Sequence, residues 1–228
     1  NDLQKLMDDA NADSIIVCLS SHTNFRKDIN KTYKSKRRGT RKPVCYVPAR
    51  EYIRDNYESM MSEWLEADDM LGIMCTQFPD KTCIVSTDKD LLTIPGKHWD
   101  FQTEQIYDLS EDMAERNFMI QTLTGDSVDG YSGCTGVGKV SAAKIMDHAD
   151  AQKKNRWEVV LKEYIERGHT EEDAITQARM AFILQKDYFN GLDEYPTLWQ
   201  PPSTSKKLIH EPKLWRTKGR DNEQLRNA

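Results

Sequence analysis

No apolar run in this 228-residue chain approaches the roughly 18 residues needed to cross a membrane. The opening residues, Asn1-Asp2-Leu3-Gln4-Lys5, do not read as a signal peptide. Cysteines are few and odd in number: Cys18, Cys45, Cys75, Cys83 and Cys134 show no CxxC spacing. That argues against a disulfide framework or a zinc site, and makes a reducing cytoplasm the expected location. There is no internal repeat, and a net charge of −5 gives no overall attraction for nucleic acid. With 38% hydrophobic and 30% charged residues, the chain suits one large domain, or one with a small appendage, around a modest core.

The net charge hides an uneven distribution. Between Arg26 and Lys42 lie nine basic residues (Arg26, Lys27, Lys31, Lys34, Lys36, Arg37, Arg38, Arg41, Lys42) and one acid, Asp28. A solvated, disordered charge run is the plain explanation. Against it, Phe25, Tyr33 and Tyr46 interleave with the charges, which suits stacking on bases or sugars, and Arg26, Lys34 and Arg37 would neutralise phosphates. Gly39 and Pro43 break regularity, so about residues 20–47 read as a mobile arm or arch.

The acids are clustered too. Glu66, Asp68 and Asp69 open an apolar helical run, Asp88 and Asp90 follow the apolar run Cys83-Ile84-Val85, and Asp126 and Asp129 sit between Gly125 and Gly130. Each group has an ordinary explanation: acids at a helix N-terminus, an Asp cap, or turn chemistry. Seven carboxylates in three short groups exceed what capping needs. Hard divalent cations take oxygen ligands, and two such ions about 3.5–4 Å apart clamp the attacking and leaving oxygens of a phosphodiester. The pattern predicts a metal-dependent nuclease.

Periodicity predicts a helix over 1–11, a buried strand over 14–19, a helix over 48–61, a short strand at Trp64-Leu65, a helix over 66–76 and a strand over 82–86. A short helix or turn over 88–92 and two strand-like pieces near 98–101 and 104–107 follow. Helices are expected over 111–123, 138–148, 156–167 and 171–189. This order predicts an α/β fold: a parallel central sheet flanked by helices, with sites beyond the strand ends. The expected division is an α/β core at 1–109 containing the arch, a helical lobe at 110–200, and a loosely ordered polar tail at 201–228. In the lobe, Gly136-Val137-Gly138-Lys139 lies where a helix begins, a backbone anion site suited to a DNA phosphate. The spacing does not meet a Walker nucleotide loop.

Together these motifs resemble the flap-endonuclease-like 5′-nuclease superfamily, and within it the stand-alone 5′→3′ exonucleases of short-tailed bacteriophages. The likeness rests on Asn24-Phe25-Arg26-Lys27 and Tyr33-Lys34-Ser35-Lys36-Arg37 (the arch), Glu66-Ala67-Asp68-Asp69, Ser86-Thr87-Asp88-Lys89-Asp90, Thr124-Gly125-Asp126 through Asp129-Gly130-Tyr131-Ser132-Gly133, and Gly136-Val137-Gly138. It implies a PIN/5′-nuclease-like core and a helix-hairpin-helix-type DNA-binding lobe. Glu66, Asp68, Asp69 and Asp88 would bind catalytic Mg2+, with Mn2+ able to substitute, and Asp90, Asp126 and Asp129 would hold or tune a second metal. Lys34 and Arg37, with Asp88, are the implied catalytic residues, the two cations gripping the scissile phosphate. Arg26, Lys31, Tyr33, Lys34, Arg37 and Gly136 to Lys139 would contact DNA, with K+ at the glycine turn. The implied substrates are duplex DNA with a 5′ end or flap and RNA–DNA hybrids, including primers, in the host cytoplasm.

The sequence departs from that family twice. The family opens with a strand bearing a metal-binding aspartate, which this chain lacks, and Ser21 stands where a second aspartate is usual. The resemblance therefore implies a missing N-terminal segment or partner chain, and poor activity without it. The rival readings are a non-catalytic or partner-completed DNA-binding remnant, and an RNA-cutting nuclease of a related small acidic-site fold, which normally lacks the lobe at 133–148.

Overall fold

The computed structural model describes residues 2–37, 39–192 and 194–202. Most of the expected polar tail, residues 203–228, lies outside the described residues. The chain begins with α1 (Asp2–Asp9) and β1 (Val17–Cys18), then α2 (Arg26–Ile29), a 3-10 turn at Ser35–Arg37 and α3 (Tyr46–Asn56). Next come β2 (Ser59–Met60), α4 (Ala67–Gln77), β3 (Cys83–Val85), a 3-10 turn at Lys89–Thr93 and the hairpin β4 (Gly96–Asp100)–β5 (Gln105–Leu109). The rest is helical: α5 (Glu111–Thr124), α6 (Lys139–Ala151), α7 (Arg156–Glu166), α8 (Glu171–Ala181) and a last 3-10 turn, Lys186–Tyr188.

The expected parallel pairing is present at β1–β2 and β3–β4, and β5 adds an antiparallel edge. Among the described residues these form two separate small sheets, β1-β2 and β3-β4-β5. The expected strand at Trp64-Leu65 is not one. The strand pairing with β1 is Ser59–Met60, inside the stretch expected to be helical, because α3 ends at Asn56. α4 packs against both β1 and β3, its apolar residues Met70, Ile73 and Met74 all buried.

The C-terminal helices start where capping side chains fall. Ser110 Oγ accepts from the Met113 N–H at 3.2 Å, Asn155 Oδ1 from Glu158 N–H at 3.2 Å, and Thr170 and Asp173 form a reciprocal capping box. One large apolar cluster runs from Phe25 and Tyr33 through Met70 and Phe118 to Trp157, Tyr164 and Trp199. It crosses the boundary expected at residue 110, so the α/β part and the helical part share a core.

The arch expectation needs correcting. Residues 24–37 are not a free arm: Asn24, Phe25, Arg26 and Tyr33 are buried. Only the later part, residues 39–45, is exposed throughout. The helix expected over 171–189 also stops early, at Ala181. Phe182, Ile183 and Leu184 then run through the core, and their freed backbone groups serve the buried charge pair described next.

Candidate active site

Glu66 is the N-cap of α4, and its carboxylate and that of Asp69 each accept from the other's backbone N–H. Beyond this shared box the two part company. Asp69 is wholly buried and takes a two-pronged pair from Arg26, whose Nη1 and Nη2 donate to Oδ2 and Oδ1 at 2.7 and 2.8 Å. The Leu184 N–H also donates to Asp69 Oδ1, at 3.1 Å. Arg26, 3% exposed, spends its remaining donors on Glu66 Oε2 at 3.4 Å and on the carbonyls of Met180 and Phe182. Burial opposes its charge, but Asp69 more than offsets this and pushes the Arg26 pKa up. Asp69 and Arg26 are thus placed as a structural ion pair joining α2, α4 and the strand-like exit of α8. Two expectations are corrected: Asp69 has no oxygen left open for a metal, and Arg26 faces no phosphate. Tyr33 is corrected likewise, since its ring is in the core and its hydroxyl donates to Glu66 Oε2 at 2.7 Å.

The remaining residues gather at one edge. Lys34 Nζ donates to Glu66 Oε1 at 2.5 Å and lies 3.6 Å from Asp129 Oδ2, and Arg37 Nη2 reaches Asp129 Oδ1 at 2.5 Å. Burial would raise the Glu66 pKa, but Arg26 and Lys34, with hydrogen bonds from Lys34 and Tyr33, hold it at about 2. Asp68 feels Lys34 only weakly by comparison. Burial first, then the charges of Asp69, Glu66 and Asp88, push its pKa up to about 6. Asp90 is raised by burial and then by Asp88, Asp126 and Asp129. Mutual repulsion therefore ties members of all three acidic groups into one field. Cys18, at the end of β1, borders it: burial and then Asp68 push its thiol up to about 12.

The backbone explains how this edge is assembled. Asp88 caps the 3-10 turn after β3, accepting from Asp90 N–H at 2.9 Å. Asp126 Oδ1 accepts from Val128 and Asp129 N–H groups, closing an Asx-type turn. That turn clasps the basic segment. Lys34 N–H donates to the Asp129 carbonyl at 2.8 Å and Lys36 Nζ to that of Ser127 at 2.9 Å. Gly130 is required there, because its φ is +88° and a Cβ would sit 2.8 Å from the Thr32 carbonyl oxygen. Lys34 itself has φ +52°, a conformation that costs a non-glycine residue energy and is held by this clasp.

The donor set fits a hard divalent cation: carboxylate oxygens in a region where their own repulsion favours a bound positive charge. Among the described residues, however, no three such side chains converge closely enough to hold an ion. Lys34 and Arg37 instead occupy Glu66 and Asp129. Beside them opens a cleft of about 290 Å³ lined by Ser21, Asn24, Lys27, Tyr33, Lys34, Arg37, Lys42 and Glu66. Lys31 is elsewhere, exposed and paired with Asp28 at 3.4 Å.

At the glycine turn, Gly136 (φ +76°) and Gly138 are exposed, and a Cβ on either would meet nothing within 4 Å. Gly138 is the N-cap of α6 without a side-chain cap, and Lys139 is exposed beside it. Val137 departs from the expectation. Its side chain is buried and its N–H donates to the Cys134 carbonyl.

Residues 1–122 match the family described as the 5′-3′ exonuclease N-terminal, resolvase-like domain. The chain belongs to this family of 5′-3′ nucleases. Among the family's relatives, the exodeoxyribonuclease of Enterobacteria phage T3 is 28% identical over 226 residues, covering 83% of this chain and 74% of that protein. The exonuclease of Escherichia phage T7 is 28% identical over 224 residues, covering 82% and 74%. Among solved structures, the flap endonuclease of bacteriophage T5, in a complex with DNA and metal ions, superposes with a TM-score of 0.61 at 17% identity, covering 79% of this chain and 78% of that one. At that identity the superposition speaks for the fold.

Ser20, expected at the acidic edge from its place after the first strand, and two residues that sequence reasoning missed, Thr23 and Gln121, help build this nuclease's site. Ser20 Oγ accepts from Ala67 N–H at 3.0 Å and Thr23 Oγ1 from Trp64 N–H at 2.9 Å, fixing the start of α4 against the segment after β1. Gln121 bonds the Tyr131 hydroxyl at 3.1 Å and steadies Asp90. Isolated side chains such as Thr23 and Gln121 carry no periodic or clustered signal that would have picked them out.

Proposed function

We propose that this chain is a divalent-metal-dependent 5′→3′ exonuclease acting on duplex DNA with a 5′ end or flap and on the RNA strand of primer hybrids, in the host cytoplasm. The observation that carries this reading is the clasp of Lys34 and Arg37 against the acidic edge, where a basic pair meets Glu66 and Asp129. Asp68, Asp88, Asp90, Asp126 and Asp129, with Glu66, are the residues that would hold Mg2+ or Mn2+. When bound, the metal supplies Lewis-acid charge and an activated water. Lys34 and Arg37 turn from their carboxylates to the scissile phosphate and stabilise the charge that builds on it. Exposed Lys27 and Lys42 draw the strand into the cleft, in a salt-dependent way.

Residues 110–200 serve in this reading as the DNA-binding lobe, with α5, the glycine turn and α6 as its helix-hairpin-helix element. Gly136, Gly138 and Lys139 receive a duplex phosphate on open backbone amides, with K+ able to sit at the turn. The same reading adds one more strand bearing a carboxylate, from an N-terminal segment or a partner chain, between β1 and β3. Its support is that, among the described residues, β1 pairs only with β2 and β3 only with β4, while α4 packs across both. Robust hydrolysis by these 228 residues alone at physiological magnesium would refute the need for that strand.

Polarity tests the reading. Duplex DNA labelled at the 5′ end should release label as mononucleotide or short oligonucleotide from the first turnovers, and 3′-labelled duplex should shorten gradually. Early release of 3′ label would overturn the 5′→3′ assignment. Binding without hydrolysis would favour the non-catalytic or partner-completed remnant, and hydrolysis confined to RNA the small acidic-site nuclease.

A further inference from the structure

Beside its own backbone bonds, Val137 N–H to the Cys134 carbonyl and Cys134 N–H to the Leu123 carbonyl, the glycine turn is held by two side chains from outside it. Gly133 N–H donates to Gln177 Oε1, on α8, at 2.8 Å. Thr135 meets His169, between α7 and α8, through its hydroxyl at 2.8 Å and its backbone N–H at 3.4 Å, both to Nε2. A backbone N–H can only donate, so Nε2 is the acceptor and the ring proton resides on Nδ1. The His169 ring is itself fixed edge-on to Tyr164, with centroids 5.4 Å apart, and Tyr164 is anchored in the core by its hydroxyl bond to the Thr122 carbonyl at 2.7 Å. These contacts end directly before Gly136, whose left-handed backbone faces open space together with Gly138.

We infer that His169 and Gln177 are positioning residues for duplex binding, holding the turn so that the backbone amides at 136–139 face the phosphate. The inference rests on the reading of that turn as a phosphate site. Neither side chain reaches the acidic edge, so both act on binding and not on the chemical step. The acceptor atoms carry the role. Losing one frees a turn amide and lets the segment before Gly136 relax.

The test separates acceptor from packing. His169→Phe keeps a ring against Tyr164 and removes the acceptor, whereas His169→Gln keeps an acceptor at similar reach and removes the ring. Gln177→Met and Gln177→Glu form the matching pair. KM and kcat are measured on duplex DNA with magnesium, Kd by fluorescence anisotropy, and Tm alongside. His169→Phe and Gln177→Met should raise KM and Kd about five- to tenfold, the worth of one hydrogen bond, with kcat within about twofold of wild type. His169→Gln and Gln177→Glu should stay near wild type. The inference is overturned if His169→Phe binds normally, if His169→Gln is the weaker binder, or if kcat falls in step with Tm. A wild type that binds duplex without cutting it would count against catalysis by these 228 residues alone, while the Kd series still decides this inference. A wild type that does not bind duplex would overturn both.

Discussion

Asp69→Ala strips a buried guanidinium of its two-pronged partner, leaving it only the longer contact to Glu66 Oε2 at 3.4 Å, and orphans the backbone N–H groups of Glu66 and Leu184. Removing one partner of a buried pair costs about 3–5 kcal/mol, because the other charge stays behind. Arg26, at 3% exposure, has no route to water without opening the contact between α2 and α8. For a domain of this size the loss corresponds to a fall in Tm of about 6–20 °C. Urea unfolding followed by circular dichroism should show the midpoint falling with the slope unchanged. Asp69→Leu combined with Arg26→Met should recover part of the loss. Recovery stays incomplete, since the carbonyls of Met180 and Phe182 lose the donors Arg26 gave them. The reasoning fails if Asp69→Ala keeps its stability to within about 1 kcal/mol and loses nuclease activity, the behaviour of a metal ligand.

Other outcomes follow from the same contacts. Gly130→Ala, at φ +88° with its new Cβ 2.8 Å from the Thr32 carbonyl, should cost about 1–3 kcal/mol; limited trypsin digestion should then cut at Lys34 and Arg37 faster than in wild type, and unchanged digestion would refute the clasp. His98 is buried, its Nε2 bonded to the Ile94 carbonyl, and burial lowers its pKa below the usual value of 6.5. The unfolded chain therefore binds this proton more readily, so stability present above about pH 6.5 declines as pH falls towards the folded pKa. His98→Gln should flatten that part of the urea-midpoint profile, and an unchanged slope would count against it. Magnesium added to metal-free protein should raise stability by about 2.7 kcal/mol at a hundred times its Kd. Asp88→Ala should lose most of that gain, and retaining it would remove Asp88 from the ligand set.

Elements that alternate burial in a simple period were legible. β1, β3, α4, α5 and α7 all fall within a few residues of expectation, because their apolar residues face the interior, Ile84 of β3 in a smaller cluster with Leu91 and Ile94 beside the large one. β2 was not legible, because Ser59–Met60 is too short to show a period and owes its form to pairing with β1. The early end of α8 was hidden for a tertiary reason: its continuation unwinds where Leu184 N–H and the Phe182 carbonyl meet Asp69 and Arg26. At the site, charge counting grouped Arg26 with the exposed cations and Asp69 with the open carboxylates. Nothing local distinguishes a buried charge from a solvated one, and the partners lie 43 residues apart. Asp69 turned out to be the helix-capping acid that the ordinary explanation for such clusters describes. Asp68, Asp88 and Asp90, by contrast, share the acidic edge that their positions after strands and at a helix start implied.

The most direct measurement is single-turnover hydrolysis of 5′-labelled duplex DNA, with and without magnesium, by wild type and Asp88→Ala side by side. The account predicts slow magnesium-dependent release of label by the wild type, far short of robust turnover, and its loss in Asp88→Ala, with duplex binding retained by both. Equal release by the two proteins, or release that ignores magnesium, would contradict the assignment of the acidic edge as the catalytic centre.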